Sequence, residues 1–222
     1  MKVLEFGKDG KATLFLHGFP GVRSKQNKDL AEKASLLGRH CFVPLYEGLG
    51  QVDGEFSFLR CREQVSQLAN DLLKKFETID VVGHSWGGYL ALGLAAQEKE
   101  KITRLVLMSP LLHFFTLDLT QQAFRLTAEG NHDLKLGVTD HLAREFYTLG
   151  NKERAEDFAR AISVETNVFI FQAATDDTTP VSYAEALVNQ FKMRPHYEVV
   201  ATDHSFLVNR DRALDQVLTA LV

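Results

Sequence analysis

Apolar residues recur along this chain in two rhythms. Short runs rich in β-branched and aromatic residues predict strands at Val3 to Phe6, Thr13 to Leu16, Cys41 to Leu45, Ile79 to Val82, Leu105 to Met108, Val168 to Gln172 and Tyr197 to Val200. Pro44 places the end of the third run close by, because proline cannot donate to a ladder. Between the runs the spacing lengthens to a helical period. Leu30, Ala34 and Leu37 share one face over Asp29 to Leu37. Val65, Leu68, Ala69, Leu72, Leu73 and Phe76 share one over Arg62 to Phe76. Gly87 to Gln97 and Asp211 to Leu221 read as helices in the same way. Strands alternating with helices predict an α/β fold, a mostly parallel sheet with helices on both faces. The alternation fails once. From His113 to Val164 the pattern is helical without a strand, and so long a block is not a simple loop. It divides the chain into a core, 1–112 and 165–222, and a small inserted helical unit, 113–164.

One strand-to-helix junction is unusually abrupt. Ile79 to Val82 runs into Gly83-His84-Ser85-Trp86-Gly87-Gly88, and a helix begins at once. A serine at the tip of such a turn presents its hydroxyl at the carboxyl edge of the sheet. Glycines two residues to either side relieve the crowding this creates. The bland reading is a tight connection; the chemical one is an exposed nucleophile.

A serine nucleophile needs a base, and the base needs an orienting group. His204 follows the last predicted strand, which brings it to the same sheet edge as Ser85. The acid belongs after the preceding strand, where Asp176 and Asp177 stand side by side ahead of Pro180. Asp203 is a weaker choice, since sequence neighbours rarely reach the required geometry. The loop His17-Gly18-Phe19-Pro20-Gly21 ends another strand. The backbone N–H groups of Phe19 and Trp86 are the expected oxyanion donors, with His17 bracing the loop.

Composition narrows the rest. The chain has 222 residues, 45% hydrophobic, enough for one globular domain with a sizeable core. A net charge of −4 gives no basic field for nucleic acid. No stretch approaches the ~20 apolar residues of a membrane span, and the N-terminal stretch lacks a signal peptide's continuous apolar run. A cytoplasmic location without nucleic-acid or membrane partners is expected. Cys41 and Cys61 form no metal or redox spacing and read as reduced thiols. Glu129, His132, Asp133, Asp140 and His141 show no recognised ligand spacing, so neither a metal nor another cofactor is expected.

Taken in order, HGFPG at His17 to Gly21, GHSWGG at Gly83 to Gly88, TDDTTPV at Thr175 to Val181 and DHSF at Asp203 to Phe206 make the chain resemble the α/β-hydrolase family along nearly its whole length. In that family the acid commonly lies four residues before a proline, which selects Asp176. The resemblance makes 113–164 a cap that shapes the substrate pocket. The cap is rich in aromatics, among them Phe115, Phe124, Phe146, Tyr147 and Phe158. His113 and Phe114, next to the strand ending at Ser109-Pro110, are the expected pocket residues, with Trp86 at its border. The stretch Tyr46 to Phe56 resembles a loop of small esterases, feruloyl-esterase-like members included. Leu49 and Val52 replace the histidine and serine usual there, which counts against that narrower assignment. The resemblance implies a serine esterase acting on a small or medium carboxylic ester through Ser85, His204 and Asp176. Thioesterases, amidases and carbon–carbon bond hydrolases use the same triad, and a ligand-binding relative without turnover is the alternative outside enzymes.

Overall fold

A computed structural model describes residues 1–21, 26–50, 52–114, 116–130 and 139–222. Its strands are β1 Lys2–Phe6, β2 Ala12–Leu16, β3 His40–Leu45, β4 Ile79–His84, β5 Ile102–Met108, β6 Asn167–Thr175 and β7 His196–Asp203. The helices are α1 Gln26–Leu36, α2 Phe58–Leu73, α3 Trp86–Glu98, α4 Leu117–Gly130, α5 Thr139–Lys152, α6 Ala155–Ala161, α7 Val181–Val188 and α8 Arg210–Thr219. The strands form one sheet in the order β1-β3-β2-β4-β5-β6-β7. Only β1 is antiparallel, paired with β3 from Lys2↔Leu45 to Phe6↔Cys41. The expected α/β architecture is therefore the observed one.

The central strands β2 and β4 are buried at every position, as strands covered on both faces must be. Two cores result. Leu14, Leu16, Val81, Leu105, Leu107 and Ile170 face one helical layer, with α2 and α3. Phe15, Val82, Val106, Phe171 and Val200 face α1 and α8 through Leu30, Ala34, Leu214 and Val217. Alternate residues of one strand serve opposite cores, the consequence of a two-residue side-chain period. Pro44 lies inside β3, beyond the β2 pairing, which stops at Leu14↔Phe42. Its missing donor therefore breaks no bond to β2.

Helix α2 starts four residues before the period suggests. Ser57 caps it, its hydroxyl accepting the Arg60 N–H at 3.2 Å, and Phe58 in its first turn is fully buried. Between β5 and β6 the chain forms α4, α5 and α6. Helices α4 and α5 pack on each other, whereas α6 lies on α3, with Phe158 beneath Tyr89 at 5.6 Å between ring centroids. Helices α4 and α5 thus form a pair of their own, apart from α6. Phe115, His132 and Asp133 lie outside the described residues. Among those described, no helix is long and apolar enough to cross a membrane.

Candidate active site

Ser85 links β4 to α3 with φ 52° and ψ −118°, a backbone conformation that L-residues rarely adopt. Such a residue costs on the order of 1–3 kcal/mol and persists only where its surroundings hold it. Here they do. Its N–H donates to the Met108 carbonyl at 3.1 Å, and its carbonyl accepts the Leu111 N–H at 2.9 Å and the Gly88 N–H at 2.9 Å. Glycine at 83 and 87 is a steric necessity. A Cβ at Gly83 would overlap the Gly87 carbonyl, and one at Gly87 would overlap the Leu16 carbonyl of β2.

From this turn a line of hydrogen bonds runs to the end of the sheet. Ser85 Oγ lies 3.0 Å from His204 Nε2. His204 Nδ1 lies 2.8 and 2.9 Å from the two oxygens of Asp176. Because a carboxylate only accepts, Nδ1 carries the proton and Nε2 presents its lone pair to the serine hydroxyl. Asp176 also accepts the backbone N–H groups of Thr178 at 3.0 Å and Thr179 at 2.7 Å, and the Gln172 amide at 2.9 Å. Burial alone would raise its pKa. The hydrogen bond from His204 and the attraction of that ring once it is protonated, with the Thr179 N–H, outweigh burial and hold the carboxyl below its ordinary value. Asp177 is exposed, with a hydrogen bond from its neighbour Thr178. Asp203 turns away from the histidine. It accepts the Leu207 N–H at 2.6 Å and the Val208 N–H at 3.0 Å, and so shapes the turn after β7.

The loop from His17 to Gly21 lies against the serine. A Cβ on Gly18 would come within 3.0 Å of both the Ser85 Cβ and His84 Nδ1. His17 stacks on Tyr46 at 3.9 Å and its Nδ1 donates to the Gly18 carbonyl at 2.9 Å. Burial holds its pKa down to about 4, so it braces the loop as a neutral ring. Trp86 opens α3, where backbone N–H groups lack helical acceptors. Gly18, the neighbour of Phe19, and Trp86 therefore approach Ser85 from two different elements.

The aromatic residues are arranged more tightly than a pocket rim. Trp86 is 1% exposed and packs under Phe58 and Tyr89, with centroids at 4.8 and 5.3 Å. Phe19 stacks on Phe124 of α4 at 5.4 Å and tilts against Phe56 and Phe58 at 5.0 Å each. Phe114 packs on Gly150, Tyr89 and Phe146 beneath α5. His113 is exposed and stacks on Tyr183 of α7 at 5.0 Å. A cavity of about 520 Å³ lies on the other side of the His17–Gly21 loop, between α1 and β3. Another of about 630 Å³ lies between α2 and α3. Among the described residues lining them are none of Ser85, His204, His113 and Phe114. Cys41 and Cys61 are free and buried, and burial pushes both thiols up to about 12, far from nucleophilic.

Two residues of the site escaped the sequence reading. Gln172 closes the apolar run of β6 and spends its amide on Asp176 and on the Thr179 carbonyl at 2.7 Å. A polar side chain ending a buried strand was the available signal. His84, hidden inside the elbow motif, contacts the His204 main chain; nothing in its sequence neighbourhood distinguishes it.

The sequence profile of the family described as the alpha/beta hydrolase fold matches residues 12–132. A search of curated proteins finds no significant match. Solved structures resemble the chain throughout. One is from a study of LipS and LipT, two metagenome-derived lipolytic enzymes, with TM-score 0.78 and 18% identity over 99% of this chain and 96% of that one. An esterase from Exiguobacterium antarcticum gives TM-score 0.76 and 16% identity over 99% and 94%. Est1E from Butyrivibrio proteoclasticus, solved with ferulic acid bound, gives TM-score 0.73 and 19% identity over 97% and 92%.

Proposed function

This chain belongs to the α/β-hydrolase family, and from that premise we propose that it is a serine hydrolase cleaving small or medium carboxylic esters. The observation that carries the reading is the unbroken line from Asp176 through His204 to Ser85, ending at a strained turn. In the proposed reaction His204 Nε2 takes the hydroxyl proton as Ser85 Oγ attacks the ester carbonyl carbon. Asp176 holds the Nδ1–H and stabilises the imidazolium that forms. The N–H groups of Phe19 and Trp86 receive the oxyanion, each worth about 3 kcal/mol in comparable sites. The tetrahedral intermediate collapses, His204 gives its proton to the departing alkoxide, and an acyl-enzyme remains. Water, losing a proton to His204, attacks the acyl carbon and releases the acid.

The esterase and lipolytic character of the similar structures supports an ester substrate. The modest size of the α4–α5 pair and its aromatic content, Phe124 and Phe146 among them, support an apolar acyl group of limited size. Two unpaired thiols suit the reducing cytoplasm, where we place the reaction.

The test is a fluorophosphonate adduct located by intact mass and peptide mapping, followed by turnover of p-nitrophenyl acetate, butyrate and octanoate. One adduct on Ser85, absent from Ser85→Ala, with turnover of the shorter esters, is expected. A folded protein that forms no adduct, or forms it elsewhere, overturns the reading.

A further inference from the structure

The relay from Ser85 to Asp176 leaves His84 unused. This side chain closes β4, is 3% exposed, and has both ring nitrogens engaged. Its Nε2 lies 2.7 Å from the backbone carbonyl oxygen of His204. Its Nδ1 lies 2.8 Å from Nε2 of Gln26, the first residue of α1. The two partners dictate one protonation pattern. A carbonyl can only accept, so His84 Nε2 carries a proton. Nδ1 of a neutral ring is then a lone pair, and it accepts an N–H of the Gln26 amide. Burial in the first place, and the neighbouring His204 in the second, hold His84 down to about 3, so the ring stays neutral wherever an esterase works. The titratable groups around it are His204, Asp176 and His17.

His84 and Ser85 are consecutive, and they grip the same residue at two points. Ser85 Oγ meets the His204 side chain at 3.0 Å while His84 meets its carbonyl at 2.7 Å. The turn carrying His204 is tied before it, where Thr175 of β6 donates its hydroxyl to the Thr202 carbonyl at 3.0 Å, and after it, where Asp203 holds the N–H groups of Leu207 and Val208; the His204 carbonyl itself is held by His84. We infer that His84 is a positioning residue, whose Nε2–H latches the His204 carbonyl and so sets where the imidazole stands between Asp176 and Ser85. The role rests on the serine-hydrolase reading of this site; the protonation pattern does not. Gln26 is the second part of the device. By donating to Nδ1 it excludes the tautomer that would turn a lone pair toward the His204 carbonyl. The gain is catalytic rather than structural in kind, because a misplacement of ~1 Å at a reacting group costs on the order of 100-fold in rate.

The test joins spectroscopy to kinetics on the full chain. Nitrogen-15 NMR of labelled histidine should show one ring that stays neutral and Nε2-protonated from about pH 5 to 8, with signals lost in His84→Gln. The opposite tautomer at that ring, or its titration in this window, would overturn the latch whether or not any ester is turned over. In the kinetics, His84→Leu should lower kcat on the order of 10- to 100-fold with KM little changed. His84→Gln, whose amide N–H reaches the place of Nε2–H, should recover most of that loss. A folded leucine variant with native kcat, or a glutamine variant no better than leucine, would sink the proposal. Should leucine prevent folding, the wild-type tautomer and the glutamine variant still decide. A wild-type protein without a Ser85 adduct overturns the hydrolase reading instead, and the NMR result separates the two failures.

Discussion

The two ends of the parallel strands carry buried polar networks of similar ingredients and opposite character. At the amino end, Arg39 sits just before β3, its Nη1 donating to Asp80 Oδ2 at 2.6 Å and to the Thr13 hydroxyl at 2.9 Å. Its Nε donates to the Leu221 carbonyl at 2.6 Å, and the Thr103 hydroxyl takes the other Asp80 oxygen at 2.8 Å. The carboxylate has a permanent cation, and the network ties β2, β4, β5 and the chain's last turn together. At the carboxyl end Asp176 is as thoroughly hydrogen-bonded, yet none of its partners is a permanent cation: two backbone N–H groups, an amide, the Ser109 side chain and an imidazole. Its ion pair is complete only when His204 gains a proton. A closed network stabilises the fold; an ion pair left one proton short is what the proposed reaction needs to draw a proton from Ser85.

The sharpest way to break this contrast is at its open end. Ser85→Ala should lower ester hydrolysis about a million-fold, the scale of comparable triads, while thermal unfolding stays near the native midpoint. Next comes the carboxylate. Asp176→Asn should cost about 10,000-fold in kcat, because an amide no longer holds the Nδ1–H tautomer. Asp177→Asn should leave kcat near native, since that side chain faces solvent; equal losses in steady-state kinetics would erase the distinction. The closed end should answer in stability instead. Asp80→Ala strands the buried Arg39 charge and should cost about 3–5 kcal/mol in denaturant unfolding, with kcat per folded molecule unchanged.

Taken per pH unit, the smallest effect comes from pH. His17 and His84 bind fewer protons folded than unfolded, so their contribution to stability is complete above 6.5 and drains as pH falls toward about 4 and about 3. Each should cost up to ~1.4 kcal/mol per pH unit across that window. Urea midpoints should therefore fall between neutral and acid pH. His84→Gln should flatten the slope, whereas a substitution in the histidine-free Arg39 network should leave it as it is.

Much of the scaffold was legible. The runs of strand formers lie within the observed strands, because burial on both faces demands continuous apolar sequence. Boundaries were less so. The start of α2 depends on a cap at Ser57, and α7 escaped because its eight residues, Val181–Val188, carry too few turns for a clear period. The aromatic residues misled in a consistent way. Trp86 and Phe114 look like pocket walls from their neighbours in sequence; in the structure Trp86 is buried beside Tyr89, and Phe114 is half-buried against Phe146 of α5. A periodic pattern reports that a side chain is buried; the partner it is buried against comes from elements distant in the chain.

By itself the sequence determined the order of the strands and of every helix but α7, and the tight turn that carries Ser85. Both follow from local rules: the apolar period, and the crowding that only glycine relieves at positions 83 and 87. The resemblance had already selected Asp176, and the structure brings it to His204; tertiary structure alone decided that His84 meets the His204 carbonyl and that Gln172 supports the acid. Ser85 and His204 stand 119 residues apart in the chain and 3.0 Å apart in space. That distance is set by how β4, β5, β6 and β7 lie side by side, and no pattern within a few residues can encode it.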